Sequence, residues 1–126
     1  MDFIIGGAWQ GKLDYARKQF SLNDSDIFQC SSDRDIDREK RCICNLEQYI
    51  LYAIRNGISP DAAFREDAVI IANDIFCGVV PIDTEIRFWR EETGRFLTRL
   101  AQRANTVTRV FCGIPLRLKQ SRSLNL

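Results

Sequence analysis

Eight residues near the start of the chain, Gly6-Gly7-Ala8-Trp9-Gln10-Gly11-Lys12-Leu13, have the types and spacing to hold a phosphate group. They fit the pattern GxxxxGK. Glycines let successive backbone N–H groups converge on phosphate oxygens, and a lysine at this place reaches the outer phosphates of a nucleotide. If a helix follows, its positive dipole end adds to the attraction. A Ser or Thr usually comes next to hold Mg²⁺, but Leu13 has no oxygen to offer. The competing reading is a glycine turn with a chance lysine; a strand before the loop and a helix after it favour the phosphate site. Trp9 inside the loop could stack on a planar ligand or cover a sheet edge.

Carboxylates at strand ends are the next candidates, because ligands of α/β sheets bind beyond the C-terminal ends of the strands. Asp74 directly follows an apolar run and could steer a metal ion that accompanies ATP or GTP. Capping the turn before Gly78 would explain it equally well. Glu47, just past the strand candidate Arg41–Cys44, could serve the same metal, or could be a solvent-facing helix carboxylate. The arginines Arg87, Arg90 and Arg95 alternate with acids on one helix. They read as a salt-bridged surface or as contacts to phosphate or another subunit.

The five cysteines form no CxxC pair, and the chain has no histidine to complete a zinc pattern. Cys42 and Cys44 fall on one face of a strand, where reduced thiols pack as small apolar groups. The lack of histidine also removes the usual general base near neutral pH.

The elements that must position these residues follow from periodicity. Phe3-Ile4-Ile5 is an apolar strand entering Gly6-Gly7, and Leu13, Ala16 and Phe20 recur at helical spacing behind the loop. Asn23–Asp26 is a turn, Ile27-Phe28 a second strand, and the charge-dense segment Ser31–Lys40 a solvated loop. Leu46, Tyr49, Ile50, Ala53 and Ile54 define a helix that Gly57 ends. Ser59-Pro60 would cap and begin another helix through Phe64. Ala68–Ala72 is a continuous apolar run, as in a central parallel strand covered on both faces. From Thr84 to Ala104, Ile86, Trp89, Thr93, Phe96, Leu97, Leu100 and Ala104 form one apolar stripe. Val107–Cys112 is a last strand, and the polar tail, about 120–126, frays. Alternating strands and helices predict an α/β fold: a parallel sheet with flanking helices and right-handed crossovers.

At 126 residues the chain fits a single domain spanning 1–126. A formal charge of +1 implies no nucleic-acid or membrane-surface field. No apolar run is long enough to span a bilayer. The N-terminal residues do not read as a signal peptide, which makes the cytosol the default compartment.

Motifs in the second half then join the loop. Asn73-Asp74-Ile75-Phe76-Cys77-Gly78-Val79-Val80-Pro81 is similar to an Asn-Glu-x-Gly-x-Gly-x-x-Pro signature. Arg87-Phe88-Trp89-Arg90, Gly94-Arg95, Arg99-Leu100-Ala101 and Gly113-Ile114-Pro115 with Lys119 follow in matching order. Together with the loop, this combination resembles the adenosylcobinamide kinase/guanylyltransferase family over about residues 1–20 and 69–119. The resemblance implies a RecA-like P-loop NTPase fold in three layers, a homotrimer, and a role in assembling the nucleotide loop of cobalamin. The implied reactions are phosphorylation of adenosylcobinamide by a nucleoside triphosphate, then GMP transfer from GTP through a guanylylated histidine. The resemblance accords with reading Gly6–Leu13 as nucleotide-binding, with Lys12 and Asp74 as the catalytic candidates. Cys30 and Ser31 correspond to a nucleotide contact of the family, and Asn45 takes the place of an acidic residue. Three departures bear on the reactions: Leu13, the absence of histidine, and a short stretch between the loop helix and Val69. They make the guanylyl-transfer half doubtful and leave two readings: a kinase, or a nucleotide-binding protein without turnover.

Overall fold

The structure of the chain is a computed structural model that describes residues 1–61, 63–75 and 83–120. Most of the Asn73–Pro81 signature, with Cys77 and Gly78, therefore lies outside the described residues, as does the tail after Gln120.

Six strands form one sheet among the described residues: β1 (Asp2–Gly6), β2 (Ile27–Gln29), β3 (Cys42–Cys44), β4 (Val69–Asn73), β5 (Thr106–Phe111) and β6 (Ile114–Gln120). Their spatial order is β2-β3-β4-β1-β5-β6. The first five run parallel, and β6 pairs antiparallel with β5 at the edge. Three helices flank the sheet: α1 (Lys12–Phe20), α2 (Leu46–Arg55) and α3 (Thr84–Arg103). This is the mixed α/β architecture that the alternation of elements predicts, except that the antiparallel β6 departs from an all-parallel sheet.

Strand side chains alternate between two apolar layers, as the pleat requires. Phe3, Ile43, Ile70, Ala72 and Val107 pack with α2 and α3. Ile4, Cys42, Cys44, Val69, Ile71 and Val110 pack with Ala16 of α1. The central strand β4 thus feeds both layers, which is why its sequence is an unbroken apolar run. Helix α2 ends as its sequence suggests: Gly57 adopts φ 63°, and the Ile58 N–H reaches the Ala53 carbonyl at 2.9 Å. That is the Schellman arrangement, which satisfies a carbonyl orphaned by the helix end.

Four expectations fail. Residues 59–61, 63 and 64 are not helical; the Ser59 hydroxyl instead accepts from the Asp61 N–H in a local turn. The segment 31–40 is irregular but not simply solvated. Ile36 packs on the α2/α3 layer. The Arg38 guanidinium lies 5.5 Å from the Tyr49 ring and 4.9 Å from the Phe64 ring, and Arg34 covers Phe28 at 4.4 Å. These cation–π contacts hold the segment down. Ile86 is 41% exposed rather than core, one turn before the stripe of α3 meets the sheet. Finally, Val107–Cys112 is not the last strand. Cys112 and Gly113, at φ 50° and 75°, make a two-residue turn of the type that hairpins favour, and β6 follows. Pro115 is tolerated there because β6 is an edge strand.

Candidate functional site

The loop lies at the C-terminal end of β1, in the centre of the sheet. Gly6, the last residue of that strand, is fully enclosed; a Cβ there would come within 2.4 Å of the Val110 carbonyl oxygen. Any larger residue would push β1 off β5. Gly11 takes φ 87° as the residue before α1, a conformation that L side chains rarely adopt. With the chain turned this way, the Tyr15 N–H closes the first helical bond on the Gly11 carbonyl, and the earlier N–H groups of α1 have no intrahelical acceptor.

Lys12 is 7% exposed, and its Nζ donates to the Gly7 carbonyl at 2.5 Å. The lysine therefore closes the loop on itself and places a positive charge inside the ring of backbone groups. Burial lowers its pKa, opposed by the charges of Glu47 and Cys44. A cleft of about 630 Å³ opens in front of the loop. Ala8 to Asp14 line one side; Gln29, Cys44, Asn45, Glu47, Gln48, Ile71 and Asn73 line the other. Trp9, at φ 61° and fully exposed, stands at this cleft and covers no sheet edge.

Glu47 is 1% exposed, which corrects the solvent-facing reading. Its Oε1 accepts from the Asn73 N–H at 2.8 Å and its Oε2 from Asn73 Nδ2 at 3.2 Å. Asn73 Nδ2 also approaches Asn45 Oδ1 at 3.3 Å, and Asn45 Nδ2 donates to Gln29 Oε1 at 2.9 Å. A polar chain thus runs along the ends of β4, β3 and β2, facing Lys12 across the cleft. Such a buried carboxylate is tolerated only because these donors replace its water. Trp89 supports the same corner: its indole Nε1 donates to the Glu47 carbonyl at 2.8 Å. It is a packing residue, not a ligand platform.

The remaining candidates are dispersed. Asp74 sits one residue past β4, where its N–H donates to the Gly6 carbonyl at 2.8 Å, but it is not among the residues lining the cleft. Cys30 is buried beside β3, and its N–H donates to the Cys44 carbonyl at 2.9 Å. Ser31 Oγ accepts from the Asp33 N–H. Neither lines the cleft; Gln29, one residue earlier, does. Arg95 is exposed and pairs with Glu92 at 2.6 Å, and Arg87 and Arg90 lie on the first turns of α3 away from the lining. Sequence reasoning missed Gln29, Asn73 and Asp14 as lining residues. A signal for Asp14 existed, since an acid in the first turn after Lys12 must sit at the loop's mouth.

Cys30, Cys42 and Cys44 behave as packing groups, whereas Cys112 is exposed. Cys42 and Cys44 share one face with their sulfurs 3.8 Å apart, and burial pushes the Cys30 thiol up to about 12.

A Mg²⁺ ion would find little protein-supplied coordination here. Leu13 lines the cleft with an apolar side chain packed against the α1 layer. Both oxygens of Glu47 already accept hydrogen bonds. Among the described residues, no three His, Cys, Asp or Glu side chains converge. These residues do not build a metal cage of their own.

Fold and loop define the class: an α/β protein of the P-loop type, its glycine-lysine loop at the centre of the sheet edge. A family model described as cobinamide kinase / cobinamide phosphate guanyltransferase matches residues 39–118. That is well over half of the chain, and the chain belongs to this family of cobalamin biosynthesis. No curated protein matches it. The matched span begins after the loop, so the loop is read from its own residues and geometry. Among the described residues, no helix is long and apolar enough to cross a membrane.

Proposed function

We propose that the chain carries out the kinase half of its family's chemistry, moving the terminal phosphoryl group of ATP or GTP to adenosylcobinamide. The observation that carries this reading is Lys12, folded into a glycine loop that opens on a cleft large enough for a nucleotide. The step breaks the bond between the γ-phosphorus and its bridging oxygen and forms one to the acceptor hydroxyl oxygen. The nucleoside diphosphate leaves, and the hydroxyl proton is lost to a carboxylate of the cleft or to water. Phosphoryl transfer asks mainly for positioning and neutralised charge. Lys12, the loop N–H groups and the dipole of α1 supply both. Mg²⁺ would enter with the triphosphate, held by phosphate oxygens and water. The guanylyl-histidine route has no residue to run on, since the chain contains no histidine. Arg87, Arg90 and Arg95 fit better as subunit contacts than as phosphate ligands, in line with the trimer implied by resemblance.

Leu13 favours a second reading, a nucleotide-binding protein without turnover, because its side chain is apolar at the place where P-loops hold the metal. One assay separates the two. The protein is incubated with Mg·ATP or Mg·GTP, with and without adenosylcobinamide, and phosphorylated corrinoid is measured. Product that vanishes in Lys12→Ala supports the kinase; nucleotide binding without product supports the second reading. Absence of any nucleotide binding refutes both.

A further inference from the structure

One contact ties the phosphate loop to the far edge of the sheet. In the hairpin turn between β5 and β6, Phe111 pairs with Ile114, which leaves the N–H groups of Cys112 and Gly113 without work in the ladder. Both go to a single residue of the loop. The Gly113 N–H donates to the Gln10 carbonyl at 2.8 Å, and the Cys112 N–H donates to Gln10 Oε1 at 2.6 Å. Gly11 lies so near that a Cβ on it would meet Gly113 Cα at 3.3 Å.

The turn holds a costly conformation to make this contact. Cys112 sits at φ 50°, a region that side chains other than Gly, Asn and Asp seldom occupy. Strain of this kind persists where surrounding contacts over-determine it. Here the compensation comes from the two hydrogen bonds to Gln10.

We infer that Gln10 is a positioning residue: by receiving both free turn amides it holds the loop backbone open for phosphate and makes the β5–β6 hairpin part of the nucleotide site. This rests on the phosphate-binding reading of the loop. Gln10 itself need not touch the nucleotide. Its side chain is committed to the hairpin, and its effect on ligand runs through the direction of the neighbouring N–H groups. Without the tether, the loop would have to be ordered at the moment of binding, and affinity would fall by that cost.

The test compares wild type with Gln10→Met, which keeps side-chain volume and loses the acceptor. Three quantities are read: affinity for Mg·ATP and Mg·GTP, the thermal midpoint, and the alkylation rate of Cys112 followed by peptide mass. Cys112 is an exposed free thiol beside the contact. The expected result is nucleotide affinity about tenfold weaker in the variant, the order of one lost hydrogen bond. The midpoint should fall by a few degrees, as expected for one lost hydrogen bond, and Cys112 should react faster. Nucleotide should slow Cys112 alkylation in wild type and lose that effect in Gln10→Met. Equal affinities in the two proteins would overturn the inference even if Cys112 reacts faster, because the contact would then be only a structural tie. If wild type binds no nucleotide, the proposed function falls too, and that failure shows in the wild-type arm alone.

Discussion

The carboxylate of Glu47 grips Asn73 twice, once by its backbone N–H at 2.8 Å and once by its side-chain amide at 3.2 Å. The pair joins the first turn of α2 to the last residue of β4, where the chain leaves the sheet. Replacing Glu47 by Gln keeps the shape but turns one acceptor into a donor facing a donor. The expected cost is about 1–3 kcal/mol of stability, read by urea denaturation. Equal stability in Glu47→Gln would mean that the carboxylate is not needed at this joint.

Leu13→Ser restores an oxygen beside the Lys12 backbone. Mg²⁺-dependent nucleotide affinity should rise about tenfold, while affinity measured in EDTA stays constant. The cost in folding should be modest, since Leu13 is only half-buried. A Mg²⁺ response equal to that of wild type would show that the residue after Lys12 does not face the phosphates.

Thr93 is fully buried on α3, and its hydroxyl has no hydrogen-bond partner among the described residues. A buried hydroxyl without a partner is a net cost. Thr93→Val should raise stability by about 1 kcal/mol, because a methyl of the same shape removes that cost. A lower unfolding midpoint in urea would show that the hydroxyl is satisfied in solution.

The Cys30 thiol is held protonated by burial, reinforced by the Glu47 and Cys44 charges, with its pKa raised from 9.0 to about 12. Between those values the folded state binds more protons than the unfolded chain. This contribution to stability is complete below pH 9 and is lost as pH rises toward 12. The slope approaches about 1.4 kcal/mol per pH unit for one such group. Cys42 and Cys44 titrate as a hydrogen-bonded pair, with Cys42 pushed up and Cys44 pushed down by the bond they share. Cys30→Ala should flatten the alkaline decline in a pH series of denaturation curves. An identical slope in the variant would assign the decline to other groups.

Much of this was legible from the chain alone, and the exceptions have specific causes. The three helices and the central strand β4 follow from apolar spacing, because one face or both faces must be buried. The loop is legible because glycine and lysine have few substitutes there. Glu47 was misread because a charge near a helix start ordinarily faces water. Only the arrival of Asn73, far along the sequence, makes its burial tolerable. The strand β6 was missed because Cys112 is a poor marker for a hairpin turn and Pro115 reads as a stop. The bonds from Gln10 that support that turn come from the other end of the chain. Similarly, Ser59-Pro60 has the local chemistry of a helix start, but no apolar face follows to make a helix worth forming.

The order of strands has a consequence for how the molecule comes together. The strand that carries the phosphate loop lies between β4 and β5, with Asp2 beside Val69 on one side and Thr106 on the other. Both neighbours come from much later in the sequence. The loops that must close to seat β1 are therefore long, and closing them is the slow, entropically costly part of folding. During synthesis β1 must wait for more than half of the chain to emerge before β4 can cover one of its edges, and for most of it before β5 can cover the other. The apolar Phe3-Ile4-Ile5 segment is exposed throughout that interval, so it is the stretch of this protein most in need of a chaperone's protection.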